Sequence, residues 1–166
     1  MTESTTGICL HYYKYSESSV VAKIFTEKFG LRSFVLKGVR SKKSKNKLNL
    51  LQSLNIVQLE VTNNNKRQLQ YVKEISKLDK FPSNILDMNK RFIALFISEV
   101  LLKVLVDSEK SDSIYTFILD YVFMINEKSE VSKNFSVLFL IKLSAYLGFY
   151  PNYENYERKY FNLETG

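Results

Sequence analysis

The hydrophobic period of this chain changes once, near Pro82, and the change restricts the folds open to it. Upstream, five short runs are typical of strands: residues 18–26 are β-branched and apolar, and in residues 6–15 and 31–39 apolar residues recur at every second position. Downstream, they recur at helical spacing. The predicted strands cover residues 6–15, 18–26, 31–39, 54–62 and 69–78, and the predicted helices cover residues 89–107, 112–126 and 132–148. Five short strands predict a small closed barrel or a compact sandwich, followed by a helical part.

Residues at the helix ends refine this prediction. Ser111 is expected to cap the second helix, with Asp112 near its positive end. Ser132 is expected to cap the third helix, which should end at Gly148. The first helix is apolar on nearly every side, so we expect it to lie centrally.

Length and composition limit the class of protein. With 166 residues and 45% hydrophobic content, the chain can form one compact domain or two small ones. The change of period predicts a boundary near residues 79–88, which gives domains at 1–80 and 81–166. No apolar run reaches the roughly 18 residues of a membrane span, and the start, MTESTTG, has no signal-peptide pattern. Because Cys9 is the single cysteine, we expect a reducing, cytoplasmic location.

The positive charge is concentrated in the first half of the chain. Residues 1–80 hold 15 Lys and Arg against 6 Asp and Glu, whereas residues 81–166 hold 9 against 11. The net charge of the first half is therefore +9 and that of the second is −2. A basic half of this kind predicts a partner that is a polyanion, most commonly nucleic acid.

Six cations occupy the eleven positions of residues 37–47, which we call the basic stretch: Lys37, Arg40, Lys42, Lys43, Lys45 and Lys47. We expect the stretch to be a loop between two strands, in which Arg40, Lys42, Lys43, Lys45 and Lys47 contact the backbone of a nucleic acid and not its bases. Nearby candidates for binding are Lys14, Tyr13, Arg32, Lys66 and Arg67. Aromatic residues are interleaved with these cations, as in proteins that bind single strands: Tyr12, Tyr13, Tyr15, Phe34 and Tyr71. We expect one or two of them at most to be exposed.

Catalytic patterns are scarce. The chain has no phosphate-binding G-x-x-x-x-G-K-[ST] motif. Cys9 and His11 are two residues apart and would share a strand face, but two ordinary strand residues are a better interpretation than a thiol–imidazole pair. Asp107, Glu109 and Asp112 are better read as a solvated loop and cap than as a metal site. We therefore expect no enzyme activity, metal or cofactor.

The segment GICLHYYKYSESSVVAKIFTEKFGLRSFVLKGVR resembles the start of the bacterial recombination mediator RecO family. The matching elements are SESS at residues 16–19, Phe25 and Thr26 at a strand end, Gly30 in a hairpin, and KGVR at residues 37–40. LQSL at residues 51–54, SEVLL at 98–102 and YLGFYP at 146–151 extend the resemblance over nearly the whole chain.

The resemblance implies an α+β protein with an N-terminal five-stranded OB-fold barrel and a helical domain. It also implies binding of single- and double-stranded DNA and annealing of complementary strands without ATP. With its partner RecR, such a protein would help load RecA onto DNA coated by single-strand-binding protein. The expected location is therefore at the nucleoid in the cytoplasm.

Some features depart from the family. Ser16 replaces a usual Gly, and Ser53 replaces a usual Pro. The four-cysteine zinc site of some members has no counterpart in the segment PNYENYERKYFNLETG, so no zinc is implied. Members usually continue beyond the position of Gly166, so we expect a chain truncated at the C-terminus.

The resemblance also implies that the helical domain binds the acidic, apolar C-terminal tail of the single-strand-binding protein. Candidate residues for this contact are Lys103, Lys133 and Lys142. Two alternatives remain open at this point. The chain could be an RNA-binding OB-fold protein, or a protein-docking module whose basic stretch binds an acidic tail.

Overall fold

A computed structural model describes residues 2–41, 44–62, 68–78, 87–105, 110–127, 131–149 and 157, without the side chains of Lys45 and Asn46. The chain falls into two compact units, Met1–Val131 and Ser132–Gly166. The first unit contains all five strands and the first three helices, and the second contains the fourth helix.

The strands form a closed barrel in the order β1-β2-β3-β5-β4. They are β1 (Thr2–Lys14), β2 (Val20–Thr26), β3 (Gly30–Leu36), β4 (Ile56–Thr62) and β5 (Leu69–Lys77). All pairs are antiparallel except β3 with β5, which is parallel. The structure confirms the predicted five-stranded OB-fold barrel followed by helices, because a sandwich would leave the sheet open.

The helices are α1 (Lys45–Asn49), α2 (Met88–Val104), α3 (Asp112–Glu127) and α4 (Phe135–Tyr146). Because α2 and α3 belong to the same compact unit as the barrel, the first unit extends well past residue 80. The predicted boundary near residue 80 falls beside residues 81–86, which lie outside the described residues, so it stays a prediction.

Apolar residues on both faces of the barrel sheet are buried. The interior cluster includes Cys9, Ile24, Phe34 and Leu59, while Phe25 is fully buried although it alternates with Ile24. The ring of Tyr115 in α3 packs on the outward-facing Phe25, with 5.8 Å between ring centroids. The helix α3 therefore covers part of the barrel exterior, which explains why β2 carries apolar residues on both of its faces.

Two consecutive side-chain hydrogen bonds connect α3 to the barrel. The Tyr115 hydroxyl donates to Thr6 Oγ1 at 3.0 Å, and Thr6 Oγ1 donates to Glu27 Oε2 at 2.7 Å. Burial raises the pKa of Tyr115 to about 12. The hydroxyl therefore keeps its proton, and remains a donor, throughout the physiological pH range.

The predictions for the helix ends are confirmed in part. Ser111 Oγ accepts from the Ile114 N–H at 3.4 Å, which confirms the predicted cap of α3. Gly148 has φ +85°, and the Phe149 N–H donates to Ser144 O at 2.8 Å, so α4 ends as predicted in a Schellman motif. The predicted cap at Ser132 is wrong, since Asn134 is the N-cap. Ser132 lies one turn earlier, where its carbonyl accepts from the Phe135 N–H.

Three other expectations are wrong. The helix α2 is not enclosed, because Phe92, Leu95 and Phe96 on one side are exposed. The basic stretch is not only a loop, since its last residues begin α1. Strict alternation in β1 also fails, because a bulge between Cys9 and His11 inserts Leu10.

Gly7 lies in a tightly packed part of the barrel wall, and we expect Gly7→Ala to destabilise the protein. An added Cβ would lie 2.6 Å from Ile24 Cγ2 and 3.3 Å from Thr26 Cγ2, so the interior would have to shift. Overpacking of this kind costs about 1–3 kcal/mol, which corresponds to a melting temperature lower by about 3–10 °C. Thermal unfolding followed by circular dichroism measures the change, and an unaltered melting temperature would show that the wall is looser than described.

Candidate nucleic-acid interface

Strand register brings polar and aromatic side chains into rows across the outer face of the barrel. Lys23 of β2 lies opposite His11 in β1 and Ser33 in β3. One pleat along, Tyr13, Val21, Val35 and Tyr71 form a second row over four strands, linked through the pairs Tyr13 with Val21, Val21 with Val35, and Val35 with Tyr71. Because side chains two apart share a face, both rows lie on one side of the sheet.

A cleft of about 540 Å³ opens on this side. Tyr13, Lys23 and Arg32 line it, together with Leu31, Ser33, Gln68, Leu69 and Leu102. The two predicted DNA-binding residues Tyr13 and Arg32 are therefore brought together, although 19 positions separate them in sequence. No carboxylate lines the cleft within the described residues, so its charge is positive.

Lys37 and Tyr71 add a cation–π contact to the same side. The Lys37 ammonium lies 5.0 Å from the centroid of the Tyr71 ring, which is within the range of attraction to the ring face. Tyr71 is 39% exposed and Tyr13 is 45% exposed. We use the name aromatic-basic face for the set Tyr13, Lys23, Arg32, Lys37 and Tyr71.

More aromatic residues are exposed than expected. Tyr12 and Tyr15 are exposed as well as Tyr13 and Tyr71, so four of the five interleaved aromatics can be reached by a ligand. The expectation of one or two at most was wrong, because α2 and α3 supply part of the apolar packing that we assigned to these rings. Phe34 is fully buried in the barrel and takes no part in the face.

Of the six cations in the basic stretch, the structure describes the side chains of Lys37, Arg40 and Lys47. Arg40 is exposed, but its N–H donates to Ser18 O at 3.1 Å and its Nη1 donates to Ser16 O at 3.0 Å. Lys47 is exposed on α1. Lys45 belongs to α1, and its side chain lies outside the described residues, as do Lys42, Lys43, Lys66 and Arg67 altogether.

Lys14, at the end of β1, forms an ion pair with Glu17 in the following loop. Lys14 Nζ lies 3.1 Å from Glu17 Oε1, and both side chains are largely exposed. The hydrogen bond from Lys14, its charge and the charge of Arg40 hold the pKa of Glu17 below its usual value. The carboxylate is therefore ionised at neutral pH.

The candidate residues for binding a protein tail are all at the surface. Lys103 is exposed in the last turn of α2, and Lys133 and Lys142 are exposed in the second unit. On α2, Lys103 lies seven residues after Phe96, which places both on the same side of the helix.

The alternative thiol–imidazole pair does not form. Cys9 lies inside the barrel, where burial raises the pKa of its thiol, whereas His11 is exposed beyond the bulge. Of the acidic cluster, Asp112 forms an ion pair with Lys110 at 3.1 Å, while Asp107 and Glu109 lie outside the described residues.

The described part of the chain has neither a cluster of metal ligands nor a membrane-spanning helix. Within it, no three His, Cys, Asp or Glu residues lie close enough to hold a metal ion. None of its helices has the length and apolar character needed to cross a membrane.

The candidate list from sequence omitted Lys23 and Tyr71. Both lie in strands that look ordinary by themselves. The alternation of β2 and β5 identifies their outward-facing residues, but only the pairing of β3 with β5 places Tyr71 beside Lys37.

Comparison with known proteins assigns the whole chain. Residues 1–81 match the family described as Recombination protein O N terminal, and residues 85–161 match Recombination protein O C terminal. The chain is 34% identical to the DNA repair protein RecO of Flavobacterium psychrophilum, over all of this chain and 70% of that protein. It is 30% identical to the protein of the same name from Bacteroides fragilis (strain YCH46), over 98% of this chain and 68% of that one. By these matches, the chain belongs to the RecO (recombination protein O) family.

Proposed function

We propose that this protein is a non-catalytic DNA repair protein that binds single- and double-stranded DNA and anneals complementary strands without ATP. Membership in the RecO family supports a role in DNA repair. The aromatic-basic face is the structural observation that carries the proposal. It combines Lys23, Lys37 and two exposed tyrosines on the outer face of an OB-fold barrel with Arg32, which lines the same cleft as Tyr13 and Lys23.

The chemistry of this face suits a single strand. Phosphates can contact Lys23, Arg32 and Lys37, while unpaired bases can stack on Tyr13 and Tyr71. Stacking contributes about 1–3 kcal/mol per base and accepts any base, so binding should show little sequence preference. A duplex offers only its phosphates to the same face, and we therefore expect weaker binding of double strands.

Annealing follows from charge neutralisation. Two complementary strands repel each other through their phosphates, and a basic barrel that binds both lowers this repulsion and raises their local concentration. Base pairing then supplies the free energy, so no nucleotide is needed. The cations of the basic stretch, including Lys42, Lys43 and Lys45, would extend this surface beyond the cleft.

The test is annealing of two labelled complementary oligonucleotides without ATP or metal, across a series of salt concentrations. We expect acceleration that fades as salt rises, because each phosphate contact in a single strand contributes about −0.7 to the slope of log K against log salt. No acceleration by folded protein at low salt would contradict the proposal. A parallel titration with RNA of the same sequence separates the alternative, since tighter binding of RNA would favour an RNA-binding function.

We further propose that the protein acts with RecR to help load RecA onto DNA coated by single-strand-binding protein, at the nucleoid. Membership in the family supports this step. The exposed apolar side of α2, with Phe92 and Phe96 followed by Lys103, offers a surface for the acidic, apolar tail of the single-strand-binding protein. Lys133 and Lys142 remain candidates in the second unit.

Tail binding can be measured by fluorescence anisotropy with a labelled tail peptide. If α2 forms the site, Lys103→Glu should weaken binding about 10-fold, because the acidic peptide loses an attractive charge and meets a repulsive one. Lys133→Glu and Lys142→Glu make the same charge change in the second unit. A loss confined to one of those two variants would move the site away from α2.

A further inference from the structure

The loop between β1 and β2 places a carboxylate among the cations of the proposed DNA-binding surface. Glu17 lies at the tip of this loop, where backbone bonds from the Tyr15 and Ser16 N–H groups to Ser19 O close the turn. The Glu17 carboxylate accepts a hydrogen bond from Lys14 Nζ at 3.1 Å, and its side chain is 95% exposed. A ligand that binds Lys14 therefore comes close to this carboxylate, which lies 3.1 Å from the ammonium group.

Arg40 holds the loop from the other side. Its N–H and its Nη1 donate to the carbonyls of Ser18 and Ser16, the two neighbours of Glu17. Only the bond from Nη1 uses one of the five N–H donors of the guanidinium, so other donors remain on this exposed side chain. The positive charge of Arg40 also contributes to the lowered pKa of Glu17, as expected when a cation lies near a carboxylate.

We propose that Lys14 and Arg40 form a phosphate subsite, and that Glu17 is an intramolecular competitor that occupies it in the absence of DNA. This inference rests on the proposed function and adds a binding subsite with its own regulation. A carboxylate oxygen and a phosphate oxygen both accept a charge-assisted hydrogen bond from an ammonium group. A DNA phosphate must therefore compete with Glu17 for the charge of Lys14, which the carboxylate partly neutralises.

The competition has a consequence for annealing. Exposed ion pairs are weak and exchange readily, so Glu17 lowers the affinity for DNA without closing the subsite. When a strand begins to dissociate, the carboxylate rebinds Lys14 and prevents recapture of the phosphate. Faster release leaves a mispaired strand free to search again, which suits a protein that must let its product go.

The experiment compares the affinities of parent and Glu17→Gln for a single-stranded oligonucleotide between 0.05 and 0.3 M salt, a range set by the dependence of such binding on counterion release. One additional phosphate contact is worth about five-fold in affinity at 0.1 M salt, from a slope of about 0.7. We therefore expect Glu17→Gln to bind about two- to five-fold more tightly, with a slope steeper by up to about 0.7.

A double-mutant cycle separates competition from a general change in charge. If Glu17 acts through Lys14, the gain from Glu17→Gln should largely disappear in a Lys14→Met background. Glu74→Gln removes the same charge from an exposed carboxylate of β5 and should change affinity by less than about 1.5-fold, as for a screened charge away from the subsite. Circular dichroism confirms that each variant is folded.

Each outcome either supports or overturns the proposed competition between Glu17 and a DNA phosphate. Tighter binding that depends on Lys14 supports the competitor. An unchanged or weaker affinity of Glu17→Gln overturns the competitor, and so does a gain in affinity that persists in full in the Lys14→Met background. In both of these cases the proposed function stands as long as the parent protein binds DNA. If the parent itself shows no salt-dependent binding of DNA, the proposed function and this inference both fail.

Discussion

Replacing Lys23, Arg32 and Lys37 together by glutamine is expected to lower the affinity for single-stranded DNA about 100-fold at 0.1 M salt. Each lost phosphate contact removes the release of about 0.7 counterion, which is roughly five-fold in affinity at that concentration. Three contacts multiply to about 100-fold, and the slope of log K against log salt should become shallower by about two. Fluorescence anisotropy with a labelled oligonucleotide, repeated over a salt series, measures both quantities.

The matched control removes three positive charges elsewhere. Lys77, Lys103 and Lys133 are exposed and lie outside the aromatic-basic face. Their triple replacement by glutamine changes the net charge by the same amount but should lower affinity by less than about three-fold at 0.1 M salt, where distant charges are screened. Equal losses in the two variants would mean that binding depends on diffuse charge and not on this face.

The second large effect concerns stability. Phe25→Ala should lower the free energy of unfolding by about 3–5 kcal/mol, because it removes a fully buried ring and leaves a cavity. The ring packs on Tyr115, so the cavity opens between the barrel and α3. For a chain of this size we expect the melting temperature to fall by about 6–20 °C.

A surface phenylalanine provides the control for that experiment. Phe96 on α2 is 39% exposed, and Phe96→Ala removes the same ring from a site that needs little repacking. We expect it to cost less than about 1 kcal/mol, as for most surface substitutions. If Phe25→Ala melts like Phe96→Ala, α3 does not pack on the barrel as described.

Local pattern was enough to predict most of the fold. Short runs rich in β-branched and apolar residues indicate strands, and β2, β4 and β5 begin within two residues of their predicted starts. The bulge at Leu10 could not be predicted, because it depends on a distant segment. The Cys9 N–H donates to Asn55 O at 2.9 Å, and the Leu54 N–H donates to Cys9 O at 2.7 Å. The local sequence of β1 does not indicate that Leu54 and Asn55 are its hydrogen-bond partners.

The site was harder to predict for the same reason. The clustering of cations in the basic stretch predicted a site there. The described cleft is instead lined by Tyr13, Lys23 and Arg32, which come from three different strands. Cross-strand register decides which side chains meet, and register follows from pairing over the whole barrel. Arg40 shows the opposite case, since a residue selected for its charge also bonds the neighbouring loop.

The basic stretch lies between two segments that are fixed to the barrel. At one end, the Arg40 N–H is bonded to Ser18 O, and at the other, Leu51 is buried in the interior cluster. Doubling the length of a loop between fixed ends costs only about 0.6 kcal/mol of closure entropy. Insertions and deletions here can therefore alter the number of positive charges while the barrel stays folded. If the basic stretch binds DNA as we propose, a change in the length of this one connection would alter the DNA affinity with little effect on stability.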